Sequence, residues 1–296
     1  YAQEKPIIRW LTWQQVPNFI TKGPFKGQGI GDALTQAIQD KLPQYHHINI
    51  ISNANRYHTL IRQPDVCVAW AWIVPGSKEF RLHSRPVSLA PRTGIQTLKS
   101  KAHLFGPAGS VLSLEKLLGM PQLKLGYLTA MTYSKKVHEL LERYKGQGNV
   151  YFSARSDVEF DLKMLDTQRF DYFFGFPSQA IFNAEVKAID NKYQFYHIAE
   201  INKYSAMYSH CSNSEFGQRV MVELDKILSD DLLLAHLKVV ERWNGTDQNY
   251  RDVFMEFVIK QQANDQVSHP GQWIWLPLSI FHNHWRFLNS PKSIRN

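Results

Sequence analysis

The sequence predicts a two-lobe α/β protein, each lobe a mostly parallel sheet flanked by helices, with the chain crossing between the lobes twice. Three observations carry that expectation. Strand-like and helix-like segments alternate from Ile7 to Val74, the alternation restarts after the composition resets at FGPAGSVLSLEKLLG, and a return strand at AMYSHCS precedes a final run of helices. The 296 residues also fit two lobes of ordinary size, because single cores stop growing near ~250–300 residues. Residues 1–95 with 210–296 are expected in the first lobe and 96–209 in the second.

Ile7 to Thr12 is an apolar first strand, followed by an aromatic and proline-containing loop, WQQVPNFITKGPF. Ile30, Ala33, Leu34, Ala37, Ile38 and Leu42 then recur with the i, i+3, i+4, i+7 spacing of a helix laid on a sheet, and Pro43 ends it. HINII is the second strand, Arg56 to Arg62 a short helix, and Asp65 to Val74 a third strand with a nearly continuous apolar face, as parallel strands covered on both sides require. GSKEFRLHSRPVSLAPR is a polar stretch leading to a strand at Gly94 to Leu98. In the second series, LKLGYL is a strand and Tyr133, Val137, Leu140, Leu141 and Tyr144 form a helical stripe capped by Thr132 or Ser134. VYFSA is a strand, Asp157 to Leu165 a helix, and FDYFFGF a buried strand from which Pro177 and Ser178 open another helix. Helical stripes after the return strand run through Phe216, Val220, Leu224, Ile227 and Leu228, then Tyr250, Val253, Phe254, Phe257 and Val258.

The glycines of GQGIG raise the question of a phosphate cradle. A dinucleotide-binding turn places GxGxxG directly between first strand and first helix and closes the second strand with an acidic residue. Here a long loop intervenes after Thr12, the spacing is GxGxG, and the second strand ends in Ser52 and Asn53. The glycines instead let the chain pass close over the lobe and start a helix, with Asp32 well placed in its first turn.

Composition excludes further classes. The net charge of +8 comes from basic residues scattered singly, without the Lys/Arg runs of nucleic-acid-binding tails, so no nucleic-acid partner is expected and a basic pocket for a small anion stays open. The longest apolar run, VCVAWAWIV, is far short of the ~20 residues of a membrane-spanning helix. Although there are twelve histidines, His46–His47 and His282–His284 lack both the i, i+4 spacing and the acidic companions of a helical zinc site, so neither a metal nor a cofactor is expected. No GxSxG elbow is present and no catalytic residue is assigned. Cys67 and Cys211 are the only cysteines; they bridge in an oxidising compartment or stay two buried thiols.

In order along the chain, WLTWQQVPNF, GQGIGDAL, QPDVCVAWAW, KEFRLHSRP, LGYLTAMTYS, RFDYFFG and SEFGQRV together resemble the bacterial extracellular solute-binding proteins of the amino-acid-binding type, family 3, over roughly residues 5 to 260. The resemblance implies a venus-flytrap fold, a small ligand enclosed between lobes, and export to the periplasm or cell surface with the leader removed; a monomer serving a membrane transporter or sensor is expected, and no enzymatic activity, because the cleft candidates include no carboxylate or histidine. It also implies departures. Lys78 stands where amino-acid binders carry the arginine that grips the α-carboxylate, with Arg81 nearby, and lysine lacks the planar fork. Phe176 stands where an aspartate takes the α-ammonium, and Trp70 and Trp72 replace a small serine platform. Since an unpaired buried charge costs several kcal/mol, these changes disfavour a plain amino acid.

In open α/β lobes ligands sit at the carboxyl ends of strands. The candidates there are Trp13 and Phe19, able to stack on a ligand or pad the interlobe surface; Arg56 at a helix start; Trp70 and Trp72, which share one face that is either core or site; and Lys78. Ser84 and Arg92 flank the first crossover. Thr129, Thr132 and Tyr133 surround a helix N-terminus suited to an anion, and Arg155 and Phe176 follow later strands. The expected function is a receptor closing around a small anionic or aromatic-bearing solute for transport or signalling. The alternatives are a ligand-free docking module in which the tryptophans fill the cleft, and a dehydratase-like enzyme on the same scaffold. The tail from Ser268, with Trp273, Trp275, Phe281, Trp285 and Phe287, is too apolar for disorder; it either packs back on a lobe, which is the expectation, or docks to a partner.

Overall fold

A computed structural model describes residues 4–52, 54–73, 77–128, 133–153, 162–245 and 248–268. The chain forms two compact units, 1–255 and 256–296, and the first contains both sheets. The elements are β1 (Ile7–Trp13), α1 (Ile30–Lys41), β2 (His46–Ser52), α2 (Ala54–Leu60), β3 (Val66–Ala71), β4 (Arg81–Pro91), β5 (Gly94–Leu98), β6 (Val111–Leu112), α3 (Leu114–Leu118), β7 (Leu125–Leu128) and α4 (Lys135–Tyr144). They continue with β8 (Val150–Ser153), α5 (Lys163–Asp166), β9 (Tyr172–Gly175), α6 (Pro177–Lys187), β10 (Tyr193–Ile198), β11 (Tyr204–Ser212), α7 (Glu215–Ile227), α8 (Asp230–Asn244) and α9 (Gln248–Ser268). The expected tail packing concerns residues outside those described.

One sheet has the order β2-β1-β3-β11-β4 and the other β6-β10-β5-β9-β7-β8. Each has a parallel centre, β2-β1-β3 and β9-β7-β8, to which strands adjoining the crossovers add antiparallel. The chain passes between sheets at residues 92–93 and again at 199–203, and the two passages are tied together where Arg92 N donates to Lys203 O at 2.9 Å. Two short connections held side by side are the mechanical requirement for a hinge.

β4 is an eleven-residue strand along the whole of β11, in the stretch that the sequence presents as polar. Pro86 argues against a strand in sequence because it cannot donate to a ladder; it is accommodated beside Tyr208, where the register shifts on both sides in a bulge. β10, with Gln and His among its aromatic residues, is a second strand not anticipated. The short helix after β2 spans Ala54–Leu60, and the one expected over 157–165 is seen as Lys163–Asp166, with 154–161 outside the described residues.

The GQGIG glycines have a steric cause. A Cβ on Gly31 would lie 2.3 Å from the ring of buried Phe19, and one on Gly29 would lie 2.6 Å from Asn18 O. The WQQVPNF loop therefore runs directly over the start of α1, where Ile30 N donates to Pro17 O at 3.1 Å and Gly31 N to Asn18 O at 2.7 Å. Asp32 accepts from Ile20 N at 2.8 Å and Gly29 N at 3.1 Å. The helix's first N–H groups are consumed by its own chain, which leaves no cradle for phosphate. Burial raises the Asp32 pKa, with those two hydrogen bonds opposing.

Cys67 and Cys211 form a disulfide. They sit directly opposite each other in the β3–β11 ladder, so the bond lies within the first sheet and does not reach the hinge. Asp65 pairs with Arg9 across β1 and β3, and Asp171 pairs with Lys101 at 2.5 Å while accepting from Lys124 N at 2.8 Å. His47 links Trp10 Nε1, which donates to its Nδ1 at 3.0 Å, to Leu42 O at 3.0 Å from Nε2. Among the described residues no helix is long and apolar enough to cross a membrane, and no group of three or more His, Cys, Asp or Glu could hold a metal ion.

Candidate functional site

The carboxyl ends of β1 and β3 carry a file of rings that continues into the second lobe. Trp13 and Phe19 lie 5.2 Å apart between centroids, Phe19 and Trp70 6.4 Å, Trp70 and Trp72 5.9 Å, and Trp72 and Phe176 5.9 Å. Period-two alternation places Trp70 and Trp72 near each other at the end of β3, and Phe176 is brought to them as the N-cap residue of α6. Its backbone is fixed from both sides: Phe176 N donates to Gln179 Oε1 at 2.9 Å, and Gln96 Nε2 donates to Phe176 O.

Rings from both lobes meet in this file. Asn18, Ile30, Trp70, Trp72, Ala90, Pro91, Phe176, Ser178 and Asn244 enclose a cavity of only about 10 Å³, room for about one water molecule. Among the described residues no charged side chain lines it, and none of those lining residues pairs with an ammonium or a carboxylate. The indole N–H groups of Trp70 and Trp72 are buried and have no hydrogen-bond partner among the described residues. A shallow depression of about 670 Å³, open to solvent, lies elsewhere, beside the last turns of α6 at Ile181, Ala184, Glu185 and Ile189.

Five of the sequence candidates, Trp13, Phe19, Trp70, Trp72 and Phe176, are thus one continuous aromatic cluster. Phe19 is fully buried and Trp70 nearly so, which makes them walls rather than exposed platforms. Ser84 is buried between β4 and β11, where its Oγ accepts from Ser209 N at 3.0 Å and donates to Arg85 O at 2.5 Å, leaving it occupied by the sheet. Arg92 lies in the crossover, with Nη1 3.5 Å from Ser205 Oγ, and burial lowers its pKa. Tyr133 packs in the second-lobe core, 4.9 Å from Phe174 and 6.4 Å from Tyr127. Arg56 is exposed on α2. Lys78 falls in the turn Ser77–Glu79, its side chain outside what is described, and Thr129, Thr132 and Arg155 lie outside the described residues.

Sequence reasoning did not select Asn18, Ser178 and Asn244, three polar residues of the cavity wall, because each looks like an ordinary loop or helix-end residue. It also gave little weight to Arg81. That guanidinium is 3% exposed, lies over the rings of Tyr57 at 5.2 Å and Phe80 at 5.0 Å, and donates to Tyr57 Oη at 3.4 Å. Burial raises the Tyr57 pKa, and the charge and hydrogen bond of Arg81 oppose it.

No protein-family model matches the chain, and no curated protein does. Solved structures do. The periplasmic VFT2 domain of Bordetella pertussis BvgS superimposes with a TM-score of 0.55 at 16% identity, covering 80% of this chain and 93% of that one. An ancestral arginine-binding protein bound to arginine gives 0.59 at 17% identity, covering 82% and 100%. Substrate-binding domain 2 of Lactococcus lactis GlnP, in an open conformation, gives 0.56 at 11% identity, covering 83% and 98%. With two sheets, two crossovers and these likenesses, the chain has the two-lobe venus-flytrap fold of periplasmic binding proteins.

Proposed function

We propose that this chain is a non-enzymatic periplasmic receptor module whose working variable is the closure of two lobes, and whose closed cleft is filled by its own aromatic side chains. The observation that carries this reading is the Trp72–Phe176 stack, which spans the lobes and leaves about 10 Å³ beside it. A free amino acid needs far more space, and it also needs partners for two charges, which the described residues of the cavity wall do not offer. Such a module acts by presenting one lobe arrangement to a membrane transporter or sensor protein; proteins whose fold it shares include a probable amino-acid ABC transporter extracellular-binding protein and a BvgS periplasmic domain. On this reading one lobe is built on the β2-β1-β3-β11-β4 sheet and the other on the β6-β10-β5-β9-β7-β8 sheet, with the passages at 92–93 and 199–203 between them.

A second reading has its own observation. The two indole N–H groups aimed at the cavity lack acceptors, and a small solute bearing a ring and an acceptor oxygen would meet both needs if it displaced Trp72. Calorimetric titration of protein refolded from denaturant, against a panel of amino acids, carboxylates and aromatic acids, separates the two. The first reading expects no saturable heat from any of them. Micromolar binding of one panel member by the wild type would replace it with the second.

A further inference from the structure

Away from the cavity, a second group of contacts joins the lobes. α8 packs along α1 of the first lobe, where His236 Nε2 lies 2.9 Å from Ile30 O, and its last turn reaches α6 of the second lobe. There three rings meet. Phe25, from the loop before α1, lies 6.2 Å from Phe182 of α6 and 5.6 Å from Trp243 of α8, while Phe182 and Trp243 are 5.5 Å apart. Trp243 is fully buried and donates from Nε1 to Gln28 O at 2.7 Å, which fixes it to the first lobe. Arg242 covers the group, 4.7 Å from the Trp243 ring and 5.5 Å from that of Phe25; it donates to Gln28 Oε1 at 3.1 Å and approaches Glu185 Oε2 of the second lobe at 3.5 Å.

From this geometry we infer that Phe25, Trp243 and Arg242 on one side, with Phe182 and Glu185 on the other, form a latch that holds the lobes closed without any ligand. Trp243 and Arg242 are anchored to the first lobe by hydrogen bonds to Gln28 that survive opening. Phe182 and Glu185 are the parts that must leave. Separation exposes the Phe182 ring and two aromatic faces to water, an apolar cost of the kind that otherwise only an enclosed ligand would supply in a hinged receptor. The half-exposed Arg242–Glu185 pair adds direction more than strength, since pairs at that exposure contribute little once solvated. The inference deepens the receptor reading by assigning where closure is controlled: an effector that opens this protein has to compete for the Phe182 seat.

The test is a spin-label distance measurement. Cysteines replace Val222 on α7 of the first lobe and Val111 on β6 of the second, both exposed, and the native Cys67–Cys211 bond keeps the other sulfurs from labelling. In ligand-free wild type a single narrow distance population is expected. Phe182→Ala should move most molecules to a longer, broader distribution, and Glu185→Lys, which sets like charge against Arg242, should do so partially and reversibly with salt. Circular dichroism and melting confirm that both variants are folded, and Glu185→Lys alters only a surface position. A wild type already spread over long distances, or a closed distribution in both variants, overturns the latch. The outcome is distinct from that of the receptor reading: should the titration reveal a solute in the cavity while Phe182→Ala still opens the lobes, the latch stands and the self-filled cleft does not.

Discussion

Trp72 and Phe176, one at the end of β3 in the first sheet and the other at the start of α6 beside the second, stack with their planes 19° apart and centroids at 5.9 Å. On the proposed reading this contact closes the cleft from within, and its removal has measurable consequences. Trp72→Ala takes away a half-buried indole and the stack, for a loss of about 2 kcal/mol of unfolding free energy. The space it leaves matches an indole. Added indole should therefore raise the melting temperature of the variant and leave that of the wild type unchanged. Equal response in both proteins would show that the cleft is not filled by Trp72.

Gly31 tests the steric account of the glycine-rich segment. Because a Cβ there meets the Phe19 ring at 2.3 Å, Gly31→Ala must push a fully buried ring toward Trp70 or lift the loop from α1. A destabilisation of about 1–3 kcal/mol is expected by urea titration, against the gain an alanine ordinarily brings inside a helix. An unchanged or higher midpoint contradicts the close passage of the loop.

Much of this architecture was legible in the sequence, and the exceptions have identifiable causes. α1 and α4 follow from apolar spacing that buries one face, β3 and β9 from apolar runs buried throughout, and α6 from Pro177 and Ser178 at its start. β4 was hidden because it carries a proline at a bulge and because Arg81 and His83, polar in sequence, are sheltered by Tyr57, Ser77 and His210, residues distant along the chain or in another element. The cysteine pairing depends on a register between β3 and β11 that no local pattern encodes. For the site, alternation placed Trp70 and Trp72 together, but whether they are core or platform depends on Phe176 arriving from the other lobe. The same holds for Ser84, whose hydroxyl is claimed by Ser209 N across the sheet.

Stability should fall on mild acidification through two buried histidines. Burial first, then the charges of His83 and Arg81, lower His210 to about 3, with its contact to Ala71 O opposing; burial lowers His236 to about 4, with Ile30 O opposing. Both folded values lie below the unfolded value near 6.5, so between pH 6.5 and about 4 the unfolded chain binds more protons than the folded one. The difference makes stability decline as pH falls, by up to about 1.4 kcal/mol per pH unit for each group. Asp32, raised by burial, acts in the opposite sense near its own range, so the window from pH 6.5 to 5 is the cleaner one. Urea midpoints at pH 7, 6 and 5 should drop in that order, and His236→Gln should reduce the slope. A flat profile would mean that these rings are hydrated.

The Cys67–Cys211 bond closes a loop with a sequence separation of 144 and joins two central strands of one sheet. Replacing both cysteines by serine should lower the unfolding free energy by about 2–4 kcal/mol while leaving the closed lobe arrangement intact, because the bond does not span the lobes. The loss is read by denaturant titration and the arrangement by the same spin-label pair. Opening of the lobes on removal of the bond would contradict its placement within the first sheet.

The central claim is tested most directly by small-angle X-ray scattering from protein refolded free of any carried solute. The account predicts a curve matching the closed two-lobe arrangement, unchanged when a saturating mixture of amino acids and small organic acids is added. An extended curve that contracts on adding that mixture would contradict it.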